Sequence, residues 1–393
     1  LFSLKPSQVF EKIKKTKVQV HSPALTSSFL IFSEFDSQTL KPSGSFPRRV
    51  EIGEVLYSNA DTKILCPING IAYLDPDQKK ISLKIDGELN FKSIYEKKDF
   101  SLIELKEKLN HLGIVSLDFD NEPFSFLIDE FKGSKDTNII FAPIVAEGTY
   151  DYKQLLLTKF KPELDAFKRN LEKSFPNTKI LDFLTDKKIE YNYPEGLYKL
   201  FLKKYCNITT HNSKDFKEIL YIGPETLYHI LQGLYYNIPF HNRIVGIGLL
   251  NKKGKLEGET KFYNIKNGTN LTDFFKTFQI NYNYKYVTFN SLYKKEEVIE
   301  IGQDFIFNIY KYKYFYLCET KSNNSSESLC IECGDCDYYC PVDANPRGLL
   351  NKNPSRFLKT DCLECGLCSV FCPSHIDFQT RIRNHKGKPN ALS

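Results

Sequence analysis

Eight of the eleven cysteines form two runs, Cys330-x2-Cys333-x2-Cys336-x3-Cys340-Pro341 and Cys362-x2-Cys365-x2-Cys368-x3-Cys372-Pro373. Each cysteine of the second run lies 362 − 330 = 32 positions after its counterpart. The repeat extends to Glu332/Glu364, Gly334/Gly366 and the aromatic pair Tyr339/Phe371, so the segment is an internal duplication. Three cysteines at x2 spacing can wrap one [4Fe-4S] cubane, glycine lets backbone N–H groups approach sulfide, and the fourth thiolate points away to the other cluster. That logic assigns Cys330, Cys333, Cys336 and Cys372 to one cluster and Cys362, Cys365, Cys368 and Cys340 to the second. Structural zinc usually takes two separated C-x2-C pairs and would leave two cysteines of each quartet unexplained. Disulfides would require an oxidising compartment, for which no targeting signal is evident. Iron with four thiolates has no open position, so one-electron relay is expected and no residue is assigned a catalytic role. The acidic neighbours Glu332, Asp335, Asp337, Asp361 and Glu364 should lower the potential. His375 could replace a ligand in principle, but with eight thiolates present it reads as a surface or packing residue. Cys66, Cys206 and Cys318 read as small buried apolar residues.

Other constellations are weaker. Gly223-Pro224 before a helix could hold an anion at the helix N-terminus, but Glu225 would oppose it and an ordinary connection is the simpler reading. Gly246-x-Gly248 lacks the third glycine and the helix of a dinucleotide fingerprint. The basic run from Arg381 to Lys388 could meet acidic partners or lipid headgroups, or simply be a solvated tail.

The elements that must position the cysteines occupy the preceding 329 residues. At 393 residues the chain suggests two or three domains, and 41% hydrophobic content supports packed cores. The 54 Lys and Arg against 48 Asp and Glu leave 54 − 48 = +6, too little for a dedicated nucleic-acid binder. Two oxidised clusters at about −2 each would reduce this to about +2. No apolar run approaches the roughly 18 to 20 residues of a membrane span, so a cytoplasmic chain is expected.

Val50 to Tyr57 alternates apolar and polar residues, Ile64 to Tyr73 reads as two strands around an Asn-Gly turn, and Ile81, Leu83 and Ile85 alternate in a further strand. Residues 100–240 read as alternating α/β. Asn138 to Val145 is a buried strand, and one long helix is expected from Tyr152 to Lys173. Glu218 to Ile222 is another strand, and a helix follows from Pro224. From Asn242 to Cys318 β signals return, with Gly246, Gly248, Gly254, Gly258 and Gly268 marking turns. A Ser/Asn-rich stretch has linker composition.

The run "VEIGEVLYS…ILCPINGIAYL" resembles the barrel-sandwich, lipoyl-like module, without an evident carrier lysine. Together with the duplicated cysteine tail, "YPEGLYKLFLKKY" from Tyr193 and the turn Gly268-Thr269-Asn270-Leu271, the chain resembles the RnfC family. These are peripheral subunits of the ion-translocating Rnf electron-transport complex, related to the A subunit of sodium-translocating NADH:quinone reductase. The resemblance implies a multidomain α/β plus β chain. Its parts are a barrel-sandwich module (1–98), an α/β body like the complex I flavin-subunit domain (99–240) and a β-grasp-like segment (241–320). A linker (321–328) and a two-cluster ferredoxin-type domain (329–393) follow. It further implies integral-membrane and other redox partner subunits, or a ferredoxin or dehydrogenase, without nucleic acid, and a peripheral position on the inner face of the cell membrane.

Where the family has a flavin- and nicotinamide-binding loop "GxGGAGFPT", this sequence has Gly113 to Phe124, with Asp118, Asp120 and Glu122 in place of glycines. A phosphate cradle needs converging backbone N–H groups and tolerates carboxylates poorly. The family's next motif leaves only Glu147 and Asp151, and Asn290-Ser291 replaces a glycine-rich turn. FMN and NADH binding is therefore disfavoured. Two alternatives stay open: an NADH-oxidising flavin subunit with a rebuilt loop, and a ferredoxin-like adaptor for another dehydrogenase.

Overall fold

The computed structural model describes residues 20–21, 29–33, 41–58, 63–75, 80–85, 95, 99–118, 121–143, 150–185, 196–208, 217–251, 256–277, 284–289, 299–301, 305–319, 327–350, 356–359 and 361–387. The described residues make a mixed α/β structure with several sheets. Its first strands are β1 (Val20–His21), β2 (Phe29–Ser33), β3 (Lys41–Pro42), β4 (Arg48–Val50), β5 (Val55–Ser58), β6 (Lys63–Leu65), β7 (Gly70–Asp75) and β8 (Lys80–Ile85). Strands β2-β8-β7-β4 form one sheet and β3-β5-β6 another. Both contribute to one small core that includes Val50, Leu56, Ile64, Ala72 and Leu83.

Two expectations change here. The alternation from Val50 to Tyr57 is not one strand: Gly53 takes φ +88 and the chain turns, so β4 and β5 lie in different sheets. Nor is Asn69-Gly70 a hairpin tip, because β6 and β7 also lie in different sheets. Asn69 instead accepts a hydrogen bond from the Ile52 N–H at 2.9 Å. Gly70 is required by close approach, since a Cβ there would stand 2.2 Å from the Lys84 carbonyl oxygen. Ile81 and Leu83 are buried in β8, as their alternation indicates.

The body begins with α1 (Leu102–His111), α2 (Phe124–Glu130), β9 (Asn138–Phe141), α3 (Tyr152–Lys159) and α4 (Lys161–Ser174). The single helix expected from Tyr152 to Lys173 is two helices. Pro162 has no N–H to give Thr158 and its ring crowds that carbonyl, so the helix breaks at Phe160 and restarts with Pro in the first turn. Next come β10 (Lys179–Asp182), α5 (Tyr198–Phe201) running into a π turn over Leu202–Cys206, β11 (Ile219–Ile222) and α6 (Pro224–Tyr236). Strands β10-β9-β11 form a parallel sheet.

The last part of the body has β12 (Asn242–Leu250), β13 (Leu256–Lys266), α7 (Leu271–Thr277), β14 (Tyr286–Phe289), β15 (Ile299–Glu300) and β16 (Tyr314–Cys318), in a sheet ordered β1-β13-β12-β16-β14-β15. Gly246 and Gly248 sit inside β12 rather than at turns. A Cβ on Gly248 would come within 2.8 Å of the Leu256 side chain and the Tyr314 hydroxyl, so packing selects glycine there. Gly258 lies inside β13 at φ +69, opposite a register shift between Ile247 and Leu249. Only Gly268, at φ +82, marks a turn as expected; Gly254 lies outside the described residues. One buried core runs from Phe100 to Leu317 and joins the parallel sheet to this larger one. No helix among the described residues is long and apolar enough to cross a membrane. The tail adds α8 (Asp335–Tyr338), a 3-10 turn (Pro346–Leu350), α9 (Leu367–Val370) and α10 (Phe378–Lys386).

Candidate functional site

The 32-residue repeat is also a repeat of backbone geometry. Gly334 and Gly366, at φ +82 and +80, occupy the N-cap positions of α8 and α9, which span equivalent residues. Glu332 and Glu364 take φ +56 and +54, and Asp343 and His375 take +51 and +54. The left-handed residues at Glu332, Gly334, Glu364 and Gly366 turn the chain between cysteines, at equivalent places in the two runs. The equivalent rings of Tyr339 and Phe371 stack on each other at 3.9 Å with 20° between planes, joining the two halves. His375 is exposed, and its N–H is used on the Cys372 carbonyl.

The fold brings the cysteines together across the repeats. Cys336 is electrostatically coupled to Cys330 and Cys372. Cys362, Cys365 and Cys368 are each coupled to Cys340. A concavity is lined by Cys340, Cys362, Cys365 and Cys368, with Gly366 and Ile382 beside them. Backbone amides approach the sulfurs: Glu332 N–H donates to Cys330 at 3.4 Å and Ala344 N–H to Cys340 at 3.2 Å. The Leu367 N–H lies toward Cys365, whereas the Asp337 and Ser369 amides donate to the Gly334 and Gly366 carbonyls at 3.0 Å. Such N–H···S bonds stabilise charge on a thiolate and tune a cluster's potential.

Burial pushes the Cys336 and Cys365 thiols up to about 11, and neighbouring thiols add to the effect. Free thiolate chemistry at neutral pH is thereby suppressed, and metal capture must displace protons. Among the described residues no group of three or more His, Cys, Asp or Glu could hold a single metal ion. A lone tetrahedral zinc draws its sulfurs to about 3.8 Å of one another, from a Zn–S bond of about 2.3 Å. A cubane holds its thiolates further apart, and four cysteines with backbone N–H groups beside them are the donor set it takes.

The second repeat is clamped by α10. Lys386 Nζ donates to the Cys362 carbonyl at 2.7 Å and pairs with Glu364 at 3.0 Å. Arg381 pairs with Glu327, so within the described part of the basic run two cations are structural rather than a free solvated tail. Of the three scattered cysteines, Cys66 is buried and its thiol donates to the Ile68 carbonyl, while Cys206 and Cys318 are half-buried.

The glycine-poor loop has a structural role that its sequence does not reveal. Asp118 Oδ2 accepts the Gly223 N–H at 2.9 Å and the Thr226 hydroxyl at 2.7 Å, so this carboxylate caps the N-terminus of α6 from 105 residues away. Thr226 Oγ1 in turn accepts the Leu117 N–H at 3.0 Å, and Lys313 donates to the Leu117 carbonyl. This point lies beyond the carboxyl end of β11, beside β9 where the strand order reverses, which is where open α/β sheets bind ligands. A Cβ on Gly223 would meet the Asp118 carboxylate at 2.2 Å. Burial raises the Asp118 pKa against the opposing effect of these hydrogen bonds. At this N-terminus of α6 the Gly223 N–H is taken by the protein's own carboxylate.

Glu225, next along α6, forms a buried bidentate pair with Arg243, both contacts at 2.6 Å. Burial works against its carboxylate, but Arg243 outweighs that and holds the pKa low. Asp151 caps α3 through the Gln154 N–H, and Asn121 donates to the Tyr310 carbonyl. Asn270 caps α7 by accepting from Thr272 and Asp273. Asp120, Glu147, Asn290, Ser291 and Tyr193 lie outside the described residues.

No curated protein matches the chain. Residues 322–373 match the family model of the 4Fe-4S dicluster domain, and this part of the chain is therefore a ferredoxin-type iron-sulfur domain with a role in electron transfer.

Proposed function

We propose that the chain is an electron-transfer subunit that relays single electrons through two [4Fe-4S] clusters within a membrane-associated, RnfC-like complex. Cys330, Cys333, Cys336 and Cys372 hold one cluster, and Cys362, Cys365, Cys368 and Cys340 the other. The observation that carries this reading is the crossed grouping, in which Cys340 lines one concavity with the second triplet while Cys372 neighbours Cys336 of the first. When bound, each cluster supplies a one-electron centre. The chain fixes the thiolates, donates N–H groups to sulfur and sets the distance between the two centres. The small two-sheet core supports a structural barrel-sandwich module. The domain boundaries expected from the sequence, the inner-membrane-face location and the integral-membrane partners belong to the same proposal.

The body works as a scaffold without a functional flavin or NADH site, because Asp118 occupies the α6 N-terminus. The test is anaerobic purification with quantification of iron, sulfide and flavin, followed by electron paramagnetic resonance after dithionite reduction. Two cubanes per chain without flavin is the expected result. Zinc at stoichiometry, or fewer than about two cubanes after reconstitution, overturns the relay. Stoichiometric flavin, or bleaching of the clusters by NADH alone, overturns the scaffold reading. Co-purification with integral-membrane subunits supports the complex over a free ferredoxin-like adaptor.

A further inference from the structure

The duplication provides its own control for how each half is covered. In the second repeat, Leu363, Val370 and Phe371 pack with Cys365 and Leu367 against Leu197, which the body supplies just before α5. The matching residues of the first repeat are more open: Ile331 is 67% exposed and Tyr338 81%, with Leu329 beside them at 91%, while Tyr339 is 41% exposed with one face on Phe371. Cys330 and Cys333 are exposed, whereas Cys365 is buried and Cys362 half-buried. A Cβ on Gly334 would meet nothing within 4 Å. The same motif is thus sealed by the body in one copy and open in the other.

The open copy is also acidic. Residues 329–346 contain Glu332, Asp335, Asp337 and Asp343 and no Lys or Arg. Asp337 is neutralised by Arg347, while Glu332 and Asp343 are exposed. Exposed apolar residues interleaved in sequence with acidic ones and with the exposed Cys330 and Cys333 have the composition of a transient docking face rather than of a closed core.

We infer that this face is the electron port of the molecule, and that its occupant is a one-electron redox protein presenting basic residues around an apolar patch. The inference rests on the two-cluster reading above. One electron crosses per encounter between the first-repeat cluster and the partner's centre, one oxidised as the other is reduced, with no bond made or broken. The second-repeat cluster, sealed by Leu197, exchanges electrons with its neighbour in the tail and not directly with this partner.

The test uses the full chain, reconstituted anaerobically, reduced with dithionite and mixed in a stopped-flow instrument with a basic c-type cytochrome as probe. Ile331→Glu and Tyr338→Glu should each lower the second-order rate at least about fivefold. Increasing salt should lower the wild-type rate, and a Glu332→Gln/Asp335→Asn double variant should flatten that dependence. Ile103→Glu, on the exposed face of α1, should leave the rate unchanged. An unchanged rate in both the Ile331 and Tyr338 variants overturns the port, as does an equal loss with a small quinone as acceptor. A dimer that these variants dissociate overturns it too, by giving the face to a second copy. Iron and sulfide are measured on every sample. A wild type without clusters defeats the underlying function, whereas loaded variants with undiminished rates defeat only the port.

Discussion

Cys340 and Cys372 each follow their own triplet by four residues, yet the fold directs each toward the other triplet. Cys372→Ser should therefore remove the cluster of Cys330, Cys333 and Cys336, and Cys340→Ser the cluster of Cys362, Cys365 and Cys368. In each case iron should fall from about eight toward about four atoms per chain, with a different electron paramagnetic resonance signal surviving. The pairing is an expectation from the spacing, and these two variants test it. Asp118 is the opposite case: its sequence context argued against phosphate, but its partners Gly223 and Thr226 are more than a hundred positions away and no pattern announced them. Asp118→Ala would leave a buried N–H and a hydroxyl without their acceptor. A loss of about 1–3 kcal/mol is expected, read as a lower denaturant midpoint.

At the scale of elements, apolar runs located β9 and β11 and Gly223-Pro224 marked the start of α6, but β10 went unread and so did the points where the chain changes sheet. The alternation from Val50 to Tyr57 was real, and Gly53 interrupted it with a left-handed residue that alternation does not encode. Pro162 carried a legible break that the continuing apolar spacing from Leu156 to Leu164 concealed. The capping box of Ser101 and Glu104 at α1 went unread, and the structure shows it, with the Glu104 N–H donating to Ser101 at 3.3 Å and the Glu104 carboxylate accepting the Ser101 N–H at 2.9 Å. Glycines were the hardest to read, since those selected by packing resemble those selected by turns. Gly70→Ala tests the distinction. A hairpin-tip glycine with positive φ would resist alanine through backbone strain alone, whereas here the new methyl strikes the Lys84 carbonyl and must part β7 from β8. About 1–3 kcal/mol of destabilisation is expected by thermal or denaturant unfolding, with the clusters still loaded.

At the scale of the whole molecule, the body carries a pH liability. Burial lowers the pKa of His229 to about 3 and that of His241 to about 4, so both are neutral when folded. Their stabilising contribution is complete above the unfolded value near 6.5 and is lost as pH falls through the folded values. Unfolding near pH 5 should accordingly take up about two protons from these residues, measurable as a falling melting temperature between about pH 6.5 and about pH 4. His229→Gln with His241→Gln should flatten that slope. The proposed crossed ligation also constrains how the protein is made. A ribosome delivers Cys330, Cys333 and Cys336 well before Cys372, so for that interval the first three sulfurs have no fourth partner. Neither centre can be finished until the second half of the duplication has emerged and stacked Phe371 on Tyr339. Iron insertion must then follow synthesis of both halves, and a chain truncated between them would carry an incomplete, oxygen-sensitive site.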